Sequence, residues 1–307
     1  MFTARNKGRI AMTATVVGAA LALAGCASGD PLEPGNDPDA GGSSSETIVV
    51  GSQAYYSNEI IAEIYAQALE NAGYEVERNF NIGQRETYLP AIEGGEVDLF
   101  PEYTGNLLQY YVPDTAATSA DDVYAELTGA LPEGLQVLDQ SPATDENSYN
   151  VTAEFAEANG LTSIADLAKI EGGITLGGRP ELEERPYGPS GLKEFYGVTA
   201  TVEATGETTV ESLIEGVVDV GNVYSADPRI QQFGLVTLDD PESLFLASNV
   251  VPLAVTDLPA DVVDVINEVS AALTPEGLVA LNVQSTVDQL SAAEIAEGWL
   301  EENGFLG

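Results

Sequence analysis

The chain has 307 residues, with 50 acidic and 10 basic side chains, a single cysteine and no histidine, for a formal net charge of −40. No basic stripe is available to neutralise phosphates, which argues against nucleic acid as a partner. Without histidine, Ser-His-Asp and Cys-His catalytic machinery and histidine metal ligands are excluded.

At the amino terminus, Arg5, Lys7 and Arg9 precede an uncharged apolar run from Ile10 to Gly25. This predicts a signal peptide over residues 1–25, with an apolar region too short and wrongly flanked for a lasting membrane span. The run ends in Leu23-Ala24-Gly25-Cys26, which resembles a bacterial lipobox. That resemblance implies cleavage before Cys26 and lipidation there, and an acyl anchor accounts for an unpaired cysteine in an exported protein. The alternative is a plain secretory signal with a leftover thiol. Removing residues 1–25, which carry three of the ten bases and no acid, takes the charge from −40 to −43. An anionic membrane would repel such a surface, so the lipid must do the anchoring. Residues 26–46 are rich in Ser, Gly, Pro and Asp and read as a disordered tether.

About 260 residues remain, enough for two lobes with real cores. Ile48 to Ser52 reads as a strand, and Asn58 to Asn71 as an amphipathic helix with Ile61, Ile64, Ala68 and Leu69 on one stripe. A strand over Tyr74–Phe80, a helix over Glu86–Gly94 and a strand over Val97–Phe100 complete a β-α-β-α-β order. That order predicts an α/β lobe with a mostly parallel sheet. Helices follow at Asn106–Tyr111 and Asp121–Ala130. A crossover is expected near Ser141–Thr144, then a strand at Tyr149–Thr152, a helical turn at Ile164–Leu167 and a strand at Ile174–Gly178. A helix over Pro189–Tyr196 and one over Val210–Gly216 lead to a strand ending at Tyr224. Leu235–Leu238 and Asn249–Val255 read as strands returning the chain to the first lobe, closed by helices at Ala260–Leu273, Thr274–Val283 and Ala292–Asn303. The expected division is 47–144 with 246–307 as lobe 1 and 145–245 as lobe 2, and the two crossings make a natural hinge.

One pattern occurs twice. Ile92-Glu93-Gly94 runs through Val97-Asp98 to Tyr103, and Ile214-Glu215-Gly216 runs through Val218-Asp219 to Tyr224. Gly-x-Val-Asp is also a common helix-to-strand junction. Two similar lobes, each ending a strand in a tyrosine, would nevertheless face those tips into a shared cleft, where ligands of open α/β sheets bind.

The residues from 47 to 307 resemble the osmoprotectant-binding proteins of ABC importers, which take up glycine betaine, choline, carnitine and related compounds. The resemblance rests on Gly51-Ser52 followed by Tyr55-Tyr56, on Pro101-Glu102-Tyr103-Thr104-Gly105, on Gly177-Gly178-Arg179-Pro180-Glu181, on Gly191-Leu192-Lys193 before Tyr196-Gly197, and on Val223-Tyr224-Ser225-Ala226-Asp227. It implies a type II two-lobed binding-protein fold with the ligand cleft between lobes, and no catalysed reaction. It implies that Tyr103, Tyr149 and Tyr224 form a cage for a quaternary ammonium group, that Arg185 takes a carboxylate, and that Gln53 and Asn106 supply polar contacts. A fourth cage tyrosine is expected beside Asn249, where Ser248 stands instead. Either the cage is three-sided or Tyr55, Tyr56 or Tyr187 fills the gap; Tyr56 is included among the candidate ligand contacts. Arg85 is a reserve candidate, and Glu102 takes a structural role.

A trimethylammonium group has no N–H to donate, so ring faces grip it where a hydrogen-bonding site cannot. The function expected is an extracytoplasmic, lipid-anchored solute-binding protein, monomeric and without metal or cofactor, passing its ligand to ABC permease subunits. The alternatives are the same fold binding an amino acid or another betaine-like compound, and a carboxylate-dependent surface hydrolase.

Overall fold

The computed structural model describes residues 47–306, so the signal peptide, the Cys26 anchor and the tether lie outside the described residues. Among the described residues no helix is long and apolar enough to cross a membrane. The chain begins with β1 (Ile48–Gly51), α1 (Tyr56–Asn71), β2 (Val76–Asn79), α2 (Arg85–Glu93) and β3 (Leu99–Tyr103). It continues through α3 (Thr104–Tyr111), α4 (Ala120–Ala130) and β4 (Leu135–Val137) before crossing to β5 (Asn147–Val151) and α5 (Ala153–Asn159). A 3₁₀ turn at Ile164–Lys169 leads to β6 (Ile174–Gly178), α6 (Pro189–Tyr196), β7 (Ala200–Ala204), α7 (Thr209–Ile214) and β8 (Val220–Tyr224). After α8 (Arg229–Gln232) and β9 (Val236–Thr237) the chain crosses back to β10 (Val250–Val255), α9 (Ala260–Ala272), α10 (Pro275–Thr286) and α11 (Ala292–Glu302).

These strands form two five-stranded sheets, ordered β2-β1-β3-β10-β4 and β7-β6-β8-β5-β9. Each is mostly parallel with one reversed strand: β10 is antiparallel to β3 and β4, and β5 is antiparallel to β8 and β9. The two sheets share one topology, so each is one lobe of an α/β pair. The sequence reading of Leu235–Leu238 as a strand returning to the first lobe is corrected here. Val236 and Val151 are register partners, which holds β9 on the second sheet, and only β10 returns.

Sequence accounts for the local elements. In α1 the residues Ile60, Ile61, Ile64, Tyr65 and Leu69 recur at helical spacing and are all buried, packing the helix on α9 and α11. Gly160 and Gly197 end α5 and α6 with left-handed backbone, which glycine adopts without a Cβ penalty. Ser291 caps α11 and its Glu294 reaches back to the Ser291 amide, a reciprocal capping box.

The two crossovers lie side by side. Thr144 and Asn249 form an antiparallel bridge, the Val250 amide donates to the Ala143 carbonyl at 2.9 Å, and the Asp145 amide donates to the Ser248 carbonyl at 3.1 Å. The start of α3 is pinned to the second crossover. The Thr104 amide donates to the Asn249 carbonyl at 2.9 Å, and the Asn249 amide donates to Thr104 Oγ1 at 3.0 Å. Gly105 approaches so closely that a Cβ there would lie 2.7 Å from the Ala247 carbonyl oxygen.

Candidate functional site

The carboxyl ends of β1, β3, β6 and β8 converge on a cleft between the lobes. Its cavity encloses ≈ 430 Å³, part of it open to solvent. The first lobe contributes Gln53 just after β1, Gln84 and Arg85 at the start of α2, Tyr103 at the tip of β3 and Asn106 in the first turn of α3. The second lobe contributes Arg179 and Glu181 after β6, Arg185, Tyr187, and Asn222 and Tyr224 from β8. Tyr103 and Tyr224 therefore line one cavity from opposite lobes.

Tyr103 is held from beneath. Asn58 donates to the Pro101 carbonyl at 2.7 Å and to the Tyr103 hydroxyl at 3.5 Å, while its own Oδ1 accepts from the Gln53 amide at 2.9 Å. Glu102, fully buried, accepts from Arg85 Nε and Nη2 at 2.9 Å each, from the Tyr88 hydroxyl at 2.6 Å and from the Tyr103 amide at 2.7 Å. A planar guanidinium paired with both oxygens is the geometry that lets such a charge pair exist out of water. Burial pushes the Tyr103 and Tyr224 hydroxyls up, so both rings stay neutral in the working range.

Several contacts bridge the lobes around the cavity. Arg185 donates to Glu86 through Nη1 at 2.6 Å and Nη2 at 3.2 Å. Asn147 Nδ2 donates to Asn106 Oδ1 at 2.9 Å. With its amide oriented to satisfy both neighbours, Gln84 accepts from Arg179 Nη1 at 2.8 Å and donates to Glu181 Oε1 at 2.9 Å. The Tyr55 and Tyr224 rings approach with centroids 5.0 Å apart. A neighbouring cavity of ≈ 400 Å³ shares Arg179, Asn222 and Tyr224 with the first and adds Tyr55, Asp227 and Arg229.

The other expected contacts divide. Gln53, Asn106 and Arg185 line the cavity, although Arg185 is also engaged by Glu86. Tyr149 does not line it, which corrects the expectation for this residue. As β5 is the reversed strand, its amino-terminal end points at the cleft, so Asn147 arrives there and Tyr149 lies two residues deeper. Tyr149 is fully buried, its hydroxyl donating to the Tyr187 carbonyl and its ring lying edge-on to Phe245 at 4.9 Å. Tyr56 is also outside the cavity lining; its ring packs edge-on against Tyr55 at 5.0 Å, and its buried hydroxyl has no partner. Ser248 is buried and adds no ring, and Phe245 packs against Tyr149 and Tyr187. Tyr187, one of the three named for the missing aromatic, does line the cavity. Sequence reasoning missed Arg179, Gln84 and Asn222. Arg179 carried a usable signal, since it follows the Gly177-Gly178 strand exit at the cleft end of β6.

Asp145 sits on the first crossover and joins the lobes. Its carboxylate accepts from the Tyr55 hydroxyl and from the Ala226 amide, both at 3.0 Å. Burial pushes its pKa up to about 7, with Asp227 and Glu146 adding to the rise and those two hydrogen bonds opposing it. Among the described residues no cluster of three or more acidic or thiol groups could hold a metal ion.

Two sheets of one topology, hinged by two adjacent crossovers with a polar, tyrosine-bearing cavity between them, define a two-lobed substrate-binding protein. The model of the substrate-binding domain of ABC-type glycine betaine transport systems matches residues 46–302, and the chain belongs to that family. Among its relatives is the glycine betaine-binding protein YehZ of Escherichia coli, 27% identical over 277 residues, covering 84% of this chain and 91% of the relative. The glycine-betaine-binding protein of Pseudomonas aeruginosa is 26% identical over 295 residues, covering 87% and 91%. A solved glycine betaine/carnitine/choline ABC transporter structure superposes with a TM-score of 0.69 at 19% identity, covering 85% of this chain and all of that one.

Proposed function

We propose that this chain is the extracytoplasmic solute-binding protein of an ABC importer and captures a small quaternary ammonium osmolyte such as glycine betaine, choline or carnitine. The carrying observation is that Tyr103 and Tyr224 reach one cavity from opposite lobes. Neutral ring faces attract a cation that cannot hydrogen-bond, each contributing about 0.5–2 kcal/mol when water is excluded. Tyr187 is the third ring of the cavity in this reading, and Arg179 and Arg185 are the donors for a carboxylate. Gln53 and Asn106 orient the ligand through polar contacts. No reaction is catalysed; closure of the lobes holds the solute until permease subunits accept it. Lipidation at Cys26 anchors a monomer to the outer face of the cell membrane.

Isothermal titration calorimetry with glycine betaine, choline and carnitine tests this reading. Tyr103→Ala and Tyr224→Ala should each weaken binding at least tenfold with an unchanged circular dichroism spectrum. Undiminished affinity in either variant would remove the site. Three arginines line the cavity, which favours as a second reading another small zwitterion, such as an amino acid. A thermal-shift screen separates the two, because a ligand at about 100 times its Kd stabilises by about 2.7 kcal/mol.

A further inference from the structure

The lobes share a topology but not a complete set of helices. In the first lobe the chain passes from β3 through α3 and α4 to β4; in the second it passes from β8 through the four-residue α8 directly to β9. Only Phe233, Gly234 and Leu235 separate α8 from β9, whereas α4 lies between α3 and β4. The consequence appears in the sequence repeat. Ile92 is 1% exposed, in a buried cluster that also contains Val123 and Leu127 of α4. Its counterpart Ile214 is 44% exposed, and Phe233 nearby is 47% exposed. Both line an open groove of ≈ 1010 Å³ with Phe155, Ala158, Leu213 and Leu235. The charged residues of its lining are Glu154 and Glu215, and no basic side chain lines it.

We propose that this groove of the second lobe is a docking site for an amphipathic helix of a partner protein, flanked by lysine or arginine and seated where α4 lies in the first lobe. The first lobe supplies the template: α4 carries apolar residues at i and i+4, Val123 and Leu127, and both are buried in the cluster that holds Ile92. Charge supplies the rest. α4 itself is acidic, with Asp121 and Asp122 in its first turn, and would meet Glu154 and Glu215 unfavourably. A basic helix would pair with them, and desolvation by the apolar floor strengthens that pairing. A second copy of this chain, at a net charge of −40, is repelled from the same face. The groove lies away from the interlobe cavity and shares no lining residue with it, so the inference stands whatever solute the cleft takes.

The probe is a fluorescein-labelled, side-chain-stapled peptide spanning residues 119–131 with D121K, D122K and E126K, titrated into the full chain by fluorescence anisotropy. The expected result is saturable binding that falls at least tenfold in Phe233→Glu and in Ile214→Glu and is unchanged in Phe195→Glu, whose exposed ring is not in the groove. The unsubstituted acidic peptide should bind at least tenfold more weakly. All three variants change exposed side chains, and their thermal midpoints should match the parent. The inference is overturned by no saturable binding up to about 1 mM, by equal binding of the two peptides, or by undiminished binding to Phe233→Glu. A dimer in sedimentation that Phe233→Glu dissolves would overturn it in favour of a second copy. Flotation with phosphatidylglycerol vesicles, lost in the same variant, would overturn it in favour of a bilayer.

Discussion

Glu102 commits both carboxylate oxygens to Arg85, Tyr88 and the Tyr103 amide, so it fixes the ring that opens onto the cleft without facing the ligand itself. Glu102→Ala strands the Arg85 guanidinium in the interior. A broken buried pair of this kind costs about 3–5 kcal/mol. Urea unfolding should show that loss as a lower midpoint at unchanged slope. Asp145 makes stability depend on pH. Its folded pKa of about 7 lies above the ordinary carboxylate value, so the unfolded chain releases this proton first as pH rises. The contribution of this group to stability is full below about pH 4 and is lost progressively up to about pH 7. Asp145→Asn should flatten that part of the pH–stability curve, measured by urea unfolding from pH 4 to 8. At this scale the sequence was partly readable. The arrival of Tyr103 and Tyr224 at the cleft could be read, because each ends a strand before a turn. Tyr149 could not be judged correctly, because only the reversed direction of β5 decides which of its residues reaches the cleft.

Elements with a strong period could be read from the chain, and those without one could not. The α1 stripe is unmistakable, and the starts of α10 and α11 follow from Thr274 and Ser291 as caps. α5 was missed because only Ala156 among its seven residues is buried, too little for a period to register. β7 was missed because it is an edge strand with mostly exposed side chains. The two-residue β9 reads as part of the return to the first lobe even though the expected division puts it in the second, since short apolar strands carry no mark of the sheet they join. α11 closes the first lobe by burying Ile295, Ala296, Trp299 and Leu300 against α1. Leu300 is fully buried, and Leu300→Ala should cost about 2–5 kcal/mol. Chemical denaturation measures this, and the solute affinity of the folded fraction should not change.

Over the whole molecule, the lobes are joined by polar links around the cavity rim as well as by the crossovers. Arg185 is 16% exposed and its partner Glu86 is 53% exposed, so their pairing is partly screened by solvent. Glu86→Gln should loosen closure without unfolding either lobe. Small-angle scattering of the ligand-free variant should give a larger radius of gyration. Solute dissociation should accelerate by about two- to fivefold, the range expected for an ion pair worth up to about 1 kcal/mol. A variant as compact as the parent would show that the crossovers alone set the lobe angle.

The seam between Thr104, Gly105 and the segment from Ala247 to Asn249 bears on how such a trap can work. Two hydrogen bonds donated by the Thr104 and Asn249 amides, and no room for even a methyl group at Gly105, pin the segment after β3 to the returning chain. The start of α3, one residue beyond Tyr103, is therefore tied to the second crossover. In the proposed reading, solute capture at Tyr103 and lobe closure share this seam, and a side chain at position 105, which would meet the Ala247 carbonyl oxygen at 2.7 Å, should weaken both.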